Sequence, residues 1–321
     1  MIPLIDPKTK KKLIYKDNAW VDEDDDSIVF PKINNIFRFV NSSNYTDNFG
    51  FQWKNFKKTQ LDKFSGLNIS KNRFFDITRW DNEDLSDKKI LEVGCGAGRF
   101  TQIILDYTQA DLYSLDYSEA VDANYENNGP NQRLKLFQSS VYEMPFPENT
   151  FDKVFCFGVI QHTPDIKRTI DCLFKVLKPE GELIIDFYPL KGFWTKIHSK
   201  YFFRPILKSH SNQKLLTRIN QNINWMISYS EFFNKIGIGK FINRFIPICD
   251  ISLLPQNLSK KEKREWAILD TFDMFSPEYD QPQKISTIKK YFIDLSIKNV
   301  FAGYIPYHNN LYKAAVVKGT K

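Results

Sequence analysis

The sequence predicts a doubly wound α/β fold that carries a small strand-rich module at its N-terminus and a helical insertion near its C-terminus. Three observations predict it. Between Lys88 and Pro189, apolar runs of strand length alternate with amphipathic stretches, the pattern of βαβ units around a parallel sheet. The stretch LEVGCGAGRF, Leu91 to Phe100, sets Gly94, Gly96 and Gly98 directly after the first of those runs. From Leu190 to about Pro282 the chain turns aromatic-rich and helix-patterned, which marks an insertion.

Taken in order, residues 1–40 hold short apolar runs broken by the acidic DEDDD from Asp22 to Asp26, and read as the β-rich module. Residues 41–87 read as a linker with lid helices, including NYTDNFGFQWKNFKKTQLD, where Phe51, Gln52 and Trp53 precede an amphipathic stretch. Residues 88–189 form the core: KKILEV, DLYSLD, RLKLFQ, FDKVFCF and ELIIDF are the expected strands. Thr163 is the expected N-cap of a helix with Pro164 in its first turn and Ile166, Ile170, Leu173 and Leu177 on one face, stopped by Lys178-Pro179-Glu180-Gly181. Residues 190–283 are the insertion, broken at Pro205, Pro247 and Pro255. Residues 284–321 return to the core with a helix capped by Ser286 and two strands, KNVFAGYI and LYKAAVV.

At 321 residues, 42% hydrophobic and 15% aromatic, the chain can bury a sizeable core. No run of about eighteen apolar residues is present, and MIPLIDPKTKKKLIY lacks the order of a signal peptide, so a cytoplasmic location with no membrane span is expected. Cys95, Cys156, Cys172 and Cys249 are too scattered for a metal site or a disulfide framework and read as free thiols. The net charge is +7, but lysines interleave with acids, as in SKKEKREW, which favours a solvated surface over a nucleic-acid partner.

The glycine spacing decides among ligands. A dinucleotide site spaces its glycines G-x-G-x-x-G and a triphosphate site needs Gly-Lys-Ser/Thr; here the order is G-x-G-x-G, with Glu92 ahead of it. About twenty residues on, the second strand ends in Asp116, a carboxylate able to accept both hydroxyls of a ribose, and Ser118 caps the next helix. Ser139, Ser140 and Val141 follow the third strand toward an adenine edge, and Phe157-Gly158 ends the fourth under the crevice.

With these residues in place, the chain resembles the class I S-adenosylmethionine-dependent methyltransferases. The turn from Glu92 to Gly98, Asp116, MPFPENTFD from Met144 to Asp152 and GVIQHTPD from Gly158 to Asp165 match that family's motifs in order. The resemblance covers Lys88 to Phe187 and the last forty residues. It implies a Rossmann-like seven-stranded sheet with its last strand antiparallel, and S-adenosyl-L-methionine lying across the strand ends. The implied cofactor contacts are Glu92, Gly94, Cys95, Gly96, Gly98, Asp116, Tyr117, Ser140, Val141 and Phe157, with Ser140 standing where the family commonly has an Asp. The N-terminus is similar to the zinc-ribbon module that precedes many bacterial members. Asp6 and Thr9 stand where its first cysteine pair would be, so the β-fold is expected without a metal.

The implied reaction is direct in-line transfer of the methyl group to a small-molecule hydroxyl or amine, with a sugar of surface saccharide biosynthesis favoured by analogy. His162 is the first candidate for a general base and Asp273 the second; the alternative role of His162 is to buttress its loop. Gln52, Trp53, Tyr188, Asp270 and Tyr279 are the expected acceptor contacts, the last two from EWAILDTFDMFSPEYDQPQ, which is similar to a segment of the same subgroup. Methylation of transfer RNA, and a non-catalytic donor-binding scaffold, are the alternatives.

Overall fold

The computed structural model describes residues 2–25, 28–40, 44–190, 192 and 197–321. Asp26 of the acidic run, the expected domain junction at 41 and most of the first residues of the insertion lie outside them. Five short strands come first: β1 (Leu4–Ile5), β2 (Lys12–Lys16), β3 (Ala19–Asp22), β4 (Val29–Ile33) and β5 (Ile36–Arg38), each antiparallel to the next. Helices α1 (Asp47–Asn55), α2 (Asp62–Ser65) and α3 (Ile69–Thr78) lead to the core.

In the core, β6 (Lys89–Val93), α4 (Arg99–Tyr107), β7 (Asp111–Asp116), α5 (Ala120–Asn128), β8 (Leu134–Gln138), β9 (Phe151–Phe157), α6 (Ile166–Val176) and β10 (Leu177–Phe187) alternate as the apolar runs predict. After the insertion, α11 (Ile285–Asp294), β11 (Lys298–Tyr307) and β12 (Tyr312–Thr320) close the sheet. β12 is antiparallel to both β10 and β11, as the resemblance implies for the last strand.

The strand count differs from seven. The sheet has twelve strands in the order β1-β2-β3-β4-β5-β8-β7-β6-β9-β10-β12-β11. The cause is the parallel pairing of β5 with β8, Ile36 opposite Leu136, which makes the N-terminal strands an extension of the core sheet. At the positions where a zinc ribbon would carry its first cysteine pair, the Asp6 carboxylate accepts the backbone N–H groups of Lys8 (2.6 Å) and Thr9 (2.7 Å), an Asx turn.

Central strands are buried on both faces, as parallel strands covered by helices must be. On one face Leu91, Val154, Leu173 and Phe292 pack together; on the other, Phe74, Ile90, Ile103 and Phe155. Three expected boundaries move. Asp165, not Thr163, caps α6 by accepting the Arg168 N–H (2.9 Å), because it is the residue that directly precedes the helix; Thr163 instead donates to the Ile160 carbonyl (2.7 Å). The Lys178–Gly181 turn is absorbed into β10 through a register shift. Lys284 rather than Ser286 precedes α11, and no side chain caps that helix.

The insertion supplies α7 (Ser199–Leu207), α8 (Asn212–Lys235), α9 (Gly239–Ile242) and α10 (Lys260–Phe275). Ser259 and Glu262 form a capping box on α10. The insertion has its own apolar centre, in which Ile223 and Met226 of α8 meet Trp266 and Phe272 of α10. Among the described residues, no helix is long and apolar enough to cross a membrane, and the four cysteines are unbridged.

Candidate active site

β6 ends at Val93, and the chain then turns through Gly94, Gly96 and Gly98 at φ of +79°, +51° and +88°. This left-handed region suits glycine, and space forbids anything larger: a Cβ at Gly94 would lie 2.2 Å from Val159, and one at Gly98 2.1 Å from Asn128. Asp116, at the end of β7, accepts the Gly96 N–H (2.8 Å) on one oxygen and the Ser118 N–H (2.9 Å) and hydroxyl (2.7 Å) on the other. The two strand ends are thereby fixed to each other.

Glu92 lies beneath the turn, accepting the hydroxyls of Ser114 (2.7 Å) and Thr101 (2.5 Å). Burial pushes its carboxyl up to about 7, against the pull of those hydrogen bonds. Since the unfolded chain ionises near 4.5, the folded state loses stability as pH rises from there to about 7, by on the order of 2–4 kcal/mol. Glu92→Gln is therefore expected to raise the Tm above neutral pH and to have little effect below about pH 4.5, as thermal melts across pH would record.

Above the carboxyl ends of β6, β7 and β9 lies a cavity of about 950 Å³. Gly94, Cys95, Gly96, Asp116, Tyr117, Val141 and Phe157 line one end, while Gln52, Trp53, His162, Tyr188, Asp270 and Asp273 line the same space. Gly158, at φ +71°, has nothing within 4 Å of where a Cβ would stand, so the backbone there is open to a ligand. Trp53 closes over the turn, its indole nitrogen 3.0 Å from the position a Gly96 Cβ would take.

Four expected contacts do not line the cavity, each for a physical reason. Glu92 is spent beneath the turn, and Gly98 opens α4 against Asn124 and Asn128. The Ser140 hydroxyl oxygen accepts the Tyr142 N–H (3.2 Å), leaving Ser139 to line the wall. Tyr279 contributes its carbonyl to His162, and its ring packs edge-on against Tyr45.

His162 Nδ1 donates to the Tyr279 carbonyl (2.9 Å), since a carbonyl can only accept, and this leaves the lone pair on Nε2. Its ring is held between Phe49 and Tyr188 at centroid distances of 5.2 and 5.6 Å. Burial pushes its pKa below the usual histidine value, against the pull of Asp273, so the imidazole is held neutral. Asp273 accepts from the Tyr188 hydroxyl (3.1 Å) and the Gln52 amide (3.4 Å). Asp270 accepts from Gln60 (3.2 Å), and burial pushes its carboxyl up to about 7.

Sequence reasoning missed two arginines of the cavity wall. Arg73 of α3 is ion-paired with Asp186 of β10, and Asp186 also accepts the Gly158 N–H (2.5 Å). Arg99 donates to Ser70 (2.8 Å) and Gln60 (3.2 Å), and burial together with Arg73 pushes its pKa down to about 10. Arg99 directly follows the glycine turn and was open to notice; Arg73 stands in no motif.

Residues 91–185 match the family model described as a methyltransferase domain. The sterol 24-C-methyltransferase of Aspergillus fumigatus is 34% identical over 97 residues, 29% of this chain and 26% of the relative. A tRNA U34 carboxymethyltransferase of Nautilia profundicola is 30% identical over 111 residues, 34% of this chain and 37% of the relative. A Mycolicibacterium smegmatis protein described as a probable S-adenosylmethionine-dependent methyltransferase is 32% identical over 99 residues, 31% of this chain and 37% of the relative. The chain thus spans between 26% and 37% of the length of these relatives.

Proposed function

We infer that the whole chain, built around an S-adenosylmethionine-dependent methyltransferase domain, transfers a methyl group to a hydroxyl or amine of a small molecule admitted beneath the insertion. The observation that carries this reading is a single cavity joining the glycine turn to His162, Asp270 and Asp273. The residues at the turn suit the cofactor: Gly158 leaves its backbone open to approach, the N-terminus of α4 would favour the cofactor's carboxylate, and Asp116 would accept from its ribose hydroxyls. When bound, S-adenosylmethionine supplies a methyl group already activated on a sulfonium.

What remains for the protein is alignment, exclusion of water and removal of a proton. Alignment alone can contribute roughly 7–11 kcal/mol. Trp53, Gln52 and the insertion would exclude water, and Tyr188 and Asp273 would orient the acceptor. His162 Nε2 would take the proton, with the ring aimed by its bond to Tyr279. A sugar hydroxyl is the favoured acceptor, by analogy with relatives that combine a similar N-terminal module, insertion and SPEYDQP-like segment.

Calorimetry tests the donor site. The demethylated product should bind while nicotinamide dinucleotides should not, and Asp116→Ala should weaken product binding by about 1.5–3 kcal/mol. Unchanged affinity in a folded variant would remove the ribose role. Turnover of labelled donor with pooled nucleotide sugars tests the acceptor. A second reading, methylation of RNA, draws on the relative named for tRNA U34; transfer to tRNA with binding that falls steeply as salt rises would put it in place of the first.

A further inference from the structure

The net charge is not spread along the chain. Ser199 to Phe245 holds eight Lys and Arg against one acid, Glu231, while the rest of the chain is balanced at 37 of each sign. Among the described residues, the same segment carries a series of large apolar side chains that stand outward. On α8 and just beyond it, Trp225, Tyr229, Phe232 and Ile236 are between 50% and 56% exposed. Their spacing of four, three and four residues puts them on one stripe of the helix, opposite the buried Ile219, Ile223 and Met226.

Lys214 and Arg218, also exposed, continue that stripe toward the N-terminus of α8 at the same helical spacing. The apolar surface runs on into the next segment, where Phe241 and Phe245 are exposed with ring centroids 5.4 Å apart. α7 is tied to this segment by the Ser199 N–H and hydroxyl, which donate to the carbonyls of Arg244 (2.6 Å) and Ile246 (2.8 Å), and it adds the exposed Phe202 and Ile206. Lys200 and Lys208 are matched by Asp280 and Glu278.

We propose that this aromatic and basic face of the insertion is a docking surface for an anionic phospholipid bilayer, on which the protein lies without crossing it. Exposed aromatic rings flanked by cations are what a headgroup boundary accepts: the rings enter the interface and the cations meet lipid phosphates. An apolar surface of this extent is uncommon on a protein that meets only water. The charge complements an anionic membrane and would repel a second copy of the same face. Lys200, Tyr201 and Arg244 belong to this segment and also to the cavity wall, so docking brings the cavity close to the lipid surface.

The test is co-sedimentation of the full chain with vesicles of phosphatidylcholine alone and of equimolar phosphatidylcholine and phosphatidylglycerol. Binding is expected to the mixed vesicles, at least about tenfold tighter than to the neutral ones, and weakened by salt. The pair Trp225→Ser and Phe232→Ser should weaken it by about tenfold or more, and Lys214→Gln with Arg218→Gln by about fivefold for each charge removed. Circular dichroism and melting should show both variants folded, since these side chains are exposed. The proposal is overturned by failure to bind mixed vesicles, by binding that survives the aromatic substitutions in full, or by a dimer in sedimentation velocity that those substitutions dissociate without any vesicle binding.

Discussion

His162→Ala is expected to lower kcat by about a hundred- to ten-thousandfold, the range for loss of a general base, while leaving affinity for the demethylated donor product close to normal. The ring lines the cavity, its Nδ1–H is committed to the Tyr279 carbonyl, and the free lone pair on Nε2 is the atom available to take a proton. Because burial pushes its pKa down, the base-competent neutral form persists below the usual histidine range near 6.5. Wild-type activity should therefore hold as pH falls through about 6.5 and decline only at lower pH, and the variant should lack that limb. Near-normal turnover in a folded variant would mean that the ring only supports its loop and that the acceptor needs no base.

The second large effect is on stability. Asp186→Ala should cost about 3–5 kcal/mol, because it leaves the Arg73 guanidinium buried without its carboxylate partner. Burial alone would lower the Arg73 pKa; the charge of Asp186 more than reverses this, and the guanidinium stays protonated. The Gly158 N–H loses its acceptor in the same step. A fall in Tm of roughly 4–8 °C is expected. The double variant Arg73→Leu, Asp186→Leu should be milder than Asp186→Ala, since no charge is left unpaired; a double variant as damaged as the single one would assign the loss to packing.

The parts legible in the sequence are those where local chemistry and tertiary structure agree. FDKVFCF reads as a strand because a parallel strand covered by helices is apolar without interruption, and β9 is buried almost throughout. The glycine turn reads from its spacing because each positive φ admits few other residues. Of Ser139, Ser140 and Val141, which follow the third strand, Ser139 and Val141 line the wall, while the Ser140 hydroxyl starts the short helical turn after β8, a choice that residue type alone does not reveal. Arg73 was invisible because its partner lies 113 residues away and nothing near it in sequence marks the pairing. Tyr279 is expected as an acceptor contact, whereas it is its backbone that holds His162, and a carbonyl carries no signature in residue type.

The pairing of β5 with β8 also sets an order of events during synthesis. Ile36 meets Leu136, so β5 leaves the ribosome about a hundred residues before its neighbour exists. At translation rates of about 5–20 residues per second that interval is roughly 5–20 s, during which one edge of β5, with Ile36 and its neighbours, lacks the native pairing to β8. The strands translated earliest thus join the sheet only after β8 has been made. A nascent chain halted between the two would present that edge to any factor that recognises unpaired strands, and ribosome profiling of chaperone-bound chains should place such engagement between codons 36 and 136.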